Sequence, residues 1–286
     1  MSFIKRVLEI TITLGAGELG ENVGEVVTLR NYGATVSIEA YGGEHQGTLH
    51  ARIYGVGIDL INQLTTIGTI KTGLKGKNRI RVDAGNEGDA LSEVYEGAIF
   101  DAWGDFSGAP DCSLNIMAMG SADLAIKPFK AASFSGENKV SDMLASLAAQ
   151  AGIGFQNNGI ETSLSDQHLH GSALDQIKTV AKNANINFII ENGRLDIWPK
   201  DGFRDLPVPS VSPSRGLVGY PSFSSNGILI TTEFLPMARI GRKILLEDSQ
   251  VIQANGEWII YTVSHTLSSV TQNGEWFTFV ECWSRG

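Results

Sequence analysis

Cysteine, proline and basic side chains are all scarce in this chain, and each scarcity removes a class of protein. Two cysteines, Cys112 and Cys282, stand far apart in 286 residues. A disulfide-stapled fold needs an even set at short spacing in a smaller chain, so both are expected as plain thiols. Basic residues number 22 against 31 acidic ones, a net charge of −9. A protein that grips nucleic acid displaces phosphate counterions with Lys and Arg, and here the overall sign is opposite. The one basic cluster is Lys71 to Arg81, with Lys75, Lys77 and Arg79 between. No apolar run approaches the ~20 residues of a membrane helix. Met1 to Leu14 carries Lys5, Arg6 and Glu9 in place of an apolar leader, so a soluble protein made in a reducing compartment is expected.

What is present is enough hydrophobic character for a core, at 42%, and abundant glycine, at 33 residues against 8 prolines. That balance suits many short strands and turns. Val7 to Leu14 alternates apolar and polar residues. Val26–Arg30, Thr35–Tyr41 and Thr48–Tyr54 follow as short β-branched or aromatic runs divided by Gly or Asn. Gly57 to Thr66 reads as a short helix, because Ile58, Ile61 and Leu64 share a face. Asn78–Val82, Glu93–Trp103 and Asp111–Met119 are further strands, the last two joined by a Gly-Ala-Pro-Asp turn. Residues 1–121 are therefore expected to form a β-barrel or sandwich.

The middle changes period. Val140, Met143, Leu144, Leu147 and Ala148 fall at helical spacing, with Gly152 placed to cap the C-terminus. A second helix spans Ala173 to Ala184. Asn187–Glu191 and Arg194–Trp198 flank Asn192-Gly193, a strong hairpin signal. Residues 122–204 thus read as a small α+β module. Pro207, Pro209, Pro213 and Pro221 then mark a stiff connector. Residues 205–286 return to strands: Gly227–Phe234, Arg242–Glu247, Glu257–Leu267 and Glu275–Trp283. Asn255-Gly256-Glu257-Trp258 recurs as Asn273-Gly274-Glu275-Trp276, each copy opening a strand after a turn.

The chemistry-bearing motifs do not assemble into a reaction centre. Gly15-Ala16-Gly17-Glu18-Leu19-Gly20 matches G-x-G-x-x-G after a strand. A dinucleotide site needs a helix next, whereas Val26 to Leu29 is a strand, and Glu18 and Glu21 would repel phosphate. Among His45, His50, His168, His170 and His265, His168 and His170 would point the same way if they stood on a strand, and no third metal ligand accompanies them at a telling spacing. Ser264 and His265 are adjacent on a strand and point apart, so they form no nucleophile–base pair. Asp83 to Asp89 is faintly calcium-like but lacks the acidic third and twelfth loop positions. No carboxylate pair stands out among the 31 acidic residues for glycoside chemistry. Trp103, Trp198, Trp258, Trp276 and Trp283 suit strand anchoring better than a stacking platform. No catalytic, cofactor-binding or metal-ligating residue is assigned.

The last third carries a resemblance. Gly227 through Pro236, Gly241-Arg242-Lys243-Ile244, Asn255-Gly256-Glu257-Trp258, His265-Thr266-Leu267 and Gly274-Glu275-Trp276 follow an order that resembles the C-terminal barrel of phage tail baseplate hub proteins. Gly171 through Ile177, Gly193 through Pro199 and Gly216 through Pro221 are similar to the module upstream of it. The resemblance implies two tube-like β-barrel domains per chain with a small helix-containing inserted domain, three copies closing into a ring. It implies a virion structural protein of a contractile tail, made in the host cytoplasm and active in DNA ejection. Its partners would be its own copies, the tail tube protein and the spike protein, with the tape-measure protein and other baseplate subunits as further contacts. DNA would pass without specific binding, and no membrane would be entered. Some hubs carry a lysozyme or peptidase domain, for which this chain has no spare length. The alternatives are a carbohydrate-binding β-sandwich using exposed Trp and a tail-associated cell-wall hydrolase. The strand Gly227–Phe234, near-continuously apolar or Thr, is the expected subunit contact.

Overall fold

The computed structural model describes residues 5–16, 22–41, 47–65 and 78–283. The fold is mainly β. In the first region lie β1 (Arg6–Ala16), β2 (Asn22–Arg30), β3 (Ala34–Tyr41), β4 (Thr48–Tyr54), α1 (Ile58–Leu64), β5 (Arg79–Asn86), β6 (Ser92–Asp105) and β7 (Ser113–Met119). The strand order is β3-β4-β7-β6-β5-β1-β2, antiparallel throughout. Period-two burial explains it: Leu8, Ile10 and Ile12 point inward, as do Leu49, Ala51 and Ile53, and Ile80 and Val82. Helix α1 drops Ile61 and Leu64 onto the same core.

The middle holds α2 (Ala122–Ile126), β8 (Ala132–Lys139), α3 (Val140–Ala151), β9 (Gly154–Asn157), β10 (Ser163–Leu169), α4 (Ala173–Asn183), β11 (Ile186–Glu191) and β12 (Arg194–Pro199). Helices α3 and α4 pack with a three-stranded sheet of order β11-β12-β9 around a core of their own. Gly152 ends α3 in the left-handed region at φ 71°, where a Cβ would be strained. Ser172 and Asp175 form a capping box at the start of α4. Asn192 and Gly193, at φ 50° and 65°, make the tight turn of the β11–β12 hairpin. Strands β8 and β10 pair as a separate ribbon and were not legible as strands, because their residues are largely polar and exposed.

The last region contains β13 (Ser210–Val211), β14 (Ser222–Phe223), β15 (Gly227–Glu233), β16 (Lys243–Leu246), β17 (Gly256–Ser269) and β18 (Trp276–Trp283). It is not a separate sheet. β17 pairs with β3 over eight residue pairs, from Thr262–Tyr41 to Ser269–Ala34, so 13 strands form one sheet. β17 keeps β18 along one edge. On the other it pairs with β16 as far as Ile259 and with β3 from Thr262 onward. The handover falls at a bulge between Ile260 and Thr262, which leaves Tyr261 unpaired and 51% exposed. Leu267 and Trp276 accordingly sit in the core of the first region, while Ile260 and Val263 sit in that of the last.

The proline-rich stretch is no solvent-spanning linker. Val211 and Ser212 are buried, and Ser210–Val211 runs parallel to Leu245–Leu246. The two Asn-Gly-Glu-Trp copies also differ in backbone. Gly256 takes φ 133° in the first, whereas Asn273 takes φ 56° in the second, so they open their strands by different turns.

Candidate functional site

Two kinds of surface offer themselves: an edge with an apolar face on the large sheet, and an ionic junction between the module and the rest. Among the described residues, β2 pairs only with β1, and nothing pairs with its outer edge. Such an edge presents a row of backbone donors and acceptors. At the other end, β15 buries Ile228, Ile230 and Thr232 and turns Leu229, 42% exposed, to the opposite side. Its apolar run therefore alternates in burial and, among the described residues, is covered on one face only. Across β18, the outward position opposite Thr231 is Phe279, 39% exposed. Leu229, Phe279 and the bulged Tyr261 thus leave large apolar side chains open on the last region.

The junction is electrostatic. Arg204, just past β12, is buried with its Nη2 on Glu191 Oε1 at 2.6 Å and on Asp196 Oδ2. Its Nη1 donates to the Ile240 carbonyl at 3.0 Å, and its backbone N–H donates to Gly241 at 2.7 Å. Asp196 also takes Nε and Nη2 of Arg194, at 2.6 and 2.9 Å. The Trp198 ring lies beside the Arg204 guanidinium. One buried arginine therefore ties the β11–β12 hairpin to the loop before β16. A charge buried this way must be answered by carboxylates, since leaving it alone costs several kcal/mol.

Next to this junction lies a cleft of about 380 Å3 lined by Glu93 of β6, Glu191 and Arg194 of the hairpin, and Met237, Arg239 and Arg242 of the loop before β16. Arg239 reaches across to the carbonyls of Glu93, at 2.6 Å, and Val94, at 3.4 Å. Among the described residues Arg242 donates only to the Met237 carbonyl, at 3.4 Å, and its Nε is buried with no partner. Burial, with the Arg204 and Arg239 guanidiniums close by, pulls the Arg242 pKa below the usual arginine value. Burial pushes the Glu93 carboxyl above its ordinary range, against the opposing pull of Arg81.

The residues singled out in the sequence are dispersed. Gly17 to Gly20 of the glycine-rich stretch, His45, and Lys71, Lys75 and Lys77 lie outside the described residues. Arg79 and Arg81 are already paired, the first with Glu96 and Asp123, the second with Asp83 and Glu93. The acidic turn is likewise answered: Asp83 takes two bonds from Arg81, and Glu87 pairs with Lys5. β10 ends at Leu169, so His170 is off the strand and does not share a face with His168, whose Nδ1 lies 3.2 Å from Ser133 Oγ. Among the described residues no three His, Cys, Asp or Glu side chains converge on a metal-binding point. His265 is buried on Thr278 Oγ1 at 2.9 Å, with its pKa lowered to about 3 chiefly by desolvation. Cys112 and Cys282 are free thiols, and burial raises that of Cys282. Trp198 and Trp276 are buried and Trp103, Trp258 and Trp283 half-buried, each of the five standing in a strand. Arg204, Arg239 and Arg242 were missed. The only available signal was Arg194 and Asp196, two apart on a strand and hence on one face.

A family model described as "Baseplate hub gp41" matches residues 7–282. No curated protein matches the chain in sequence. The fold is similar to a tail protein from Neisseria meningitidis MC58, at 9% identity and TM-score 0.62, covering 98% of this chain and 97% of that one. It is also similar to the 43 kDa tail protein of prophage MuSo2 from Shewanella oneidensis, at 11% identity and TM-score 0.60, covering 97% of each. A third likeness is the E. coli c3393 protein, described as a type VI secretion component similar to T4 tail proteins gp27 and gp5. It is 8% identical, with TM-score 0.57 over 88% of this chain and 73% of that one. At these identities the structures speak for the fold, and the family match, spanning nearly the whole chain, speaks for the lineage: this chain belongs to the baseplate hub gp41 family of phage tail structural proteins.

Proposed function

We propose that three copies of this chain close into the central hub of a contractile-tail baseplate, joining the tail tube to the cell-puncturing spike around a channel for DNA. The observation that carries the reading is the single sheet that fuses the two strand-rich regions through β3 and β17. It gives each copy a stiff wall with the β2 edge unpaired among the described residues at one end and open apolar side chains at the other. Such non-identical surfaces build a head-to-tail contact, and a head-to-tail contact that closes makes a ring. The net charge of −9 suits a passage that DNA crosses without being held, because carboxylates repel phosphates. Chemistry plays no part: the chain acts by burying surface against its own copies and against tube and spike subunits.

Light scattering coupled to size exclusion tests the ring. A mass of three chains is expected, and a monomer at every concentration sinks the proposal. Placing a lysine at Val26, exposed on the edge strand β2, is expected to lower the trimer fraction. Purified tube and spike subunits should co-elute with the trimer. Retention of DNA at low salt contradicts a repelling channel.

A further inference from the structure

The cleft beside Arg204 holds more positive charge than its own carboxylates answer. Three guanidiniums line it, Arg194, Arg239 and Arg242, and that of Arg204 is buried close behind. Asp196 is shared between Arg194 and Arg204, and Glu191 is spent on Arg204. Glu93 is held by Arg81 at 3.2 Å through Oε2; its Oε1 is buried with no partner among the described residues, so this one carboxylate stands beside five guanidiniums, counting Arg81. Among the described residues Arg239 is bound only to neutral backbone carbonyls, and Arg242 only to one, at 3.4 Å. Neither makes an ion pair among the described residues, and a buried guanidinium N–H without an acceptor is costly. The site is concave, it is fixed on three sides by β6, the β11–β12 hairpin and the loop before β16, and Arg is the side chain that matches a carboxylate in a two-pronged contact.

We propose that this cleft binds a carboxylate, with Arg242 and Arg239 as its ligands and Arg194 at its rim. Arg242 Nε is the donor the ligand satisfies. Arg239 is braced by the Glu93 and Val94 carbonyls and supplies charge with little reorganisation. Met237 contributes apolar contact for the carbon skeleton of the ligand. The carboxylate comes either from a small polyacid or from an Asp or Glu of a neighbouring subunit, since the chain is itself rich in acid. The site stands on its own geometry and does not depend on the hub reading.

Citrate is the probe. Titration calorimetry at constant ionic strength is expected to show one citrate per chain, and absence of saturable heat overturns the proposal. Arg242→Met keeps the unbranched apolar stem of the side chain and removes its donors. It is expected to weaken citrate at least about tenfold, the scale of one charge-assisted hydrogen bond. Citrate also raises melting temperatures of proteins generally through exclusion from their surfaces, so only the part of the shift lost in Arg242→Met counts. Equal shifts in the two proteins overturn the site. A second arm finds the source of the ligand. Dissociation of oligomers by citrate, absent with sodium chloride of equal ionic strength, supports a neighbouring chain's carboxylate. An unchanged mass with citrate bound supports a small-molecule ligand.

Discussion

The molecule has two joints, and they are made of different material. The first and last strand regions are joined by backbone, through the β3–β17 ladder, and share cores across it. The α+β module is joined mainly by side chains, through Arg204 and its two carboxylates and through Trp198 and Ile189, which pack in the last region's core. A backbone ladder tolerates most outward substitutions, because its bonds belong to no particular residue. A buried ion pair depends on single atoms, so losing one partner strands the other. The sheet is therefore built to persist, and the seat of the module is open to change by one mutation or one ligand.

The largest effect should come from the ionic joint. Asp196→Ala leaves Arg194 and Arg204 short of an acceptor and is expected to cost about 3–5 kcal/mol in urea unfolding. A cost under about 1 kcal/mol would mean that water or Glu191 answers the charge and that the two joints do not differ. Next comes the backbone joint. Leu267 stands on β17 yet is packed in the first region's core. Leu267→Ala is expected to cost about 3 kcal/mol and to lower one common transition. Two resolved transitions, with only one displaced, would show that the strand regions unfold apart.

The third test uses pH. His265 stands on β17 opposite Thr278 of β18, and its folded pKa, about 3, is below the ordinary 6.5. Above pH 6.5 both states are neutral and the group is silent. As pH falls toward 3 the unfolded chain binds a proton that the native chain refuses, so stability drops, by about 2 kcal/mol between pH 6.5 and 5. Replacing His265 with Gln should flatten that part of the curve; an unchanged slope would assign it to other groups. The smallest effect belongs to the module alone. Ser172→Ala removes the α4 cap and should cost about 1 kcal/mol, without altering the sheet's own hydrogen-exchange protection.

Strand and helix were legible wherever burial is periodic, as in Val7 to Leu14 or Val140 to Ala148, because one face of each must be apolar. Asn192-Gly193 announced its hairpin for a local reason too, since few residue pairs accept two positive φ angles. What could not be seen was the pairing of Thr35 with Ser268, or of Arg204 with Asp196 and Gly241. The first is a contact between segments more than two hundred residues apart. The second depends on where a proline-rich stretch folds back, which its composition presents as a spacer. The cleft shares that fate: its lining comes from three separated segments, and no spacing rule links them.

The bulge at Tyr261 has a consequence for synthesis. Because one strand changes neighbours there, the early-made β3 has no companion on that side until residues near 262–269 leave the ribosome. A nascent chain therefore waits with an unzipped flank. In a cell filling with identical copies, that interval is when one copy's late strand can meet another's early sheet in place of its own.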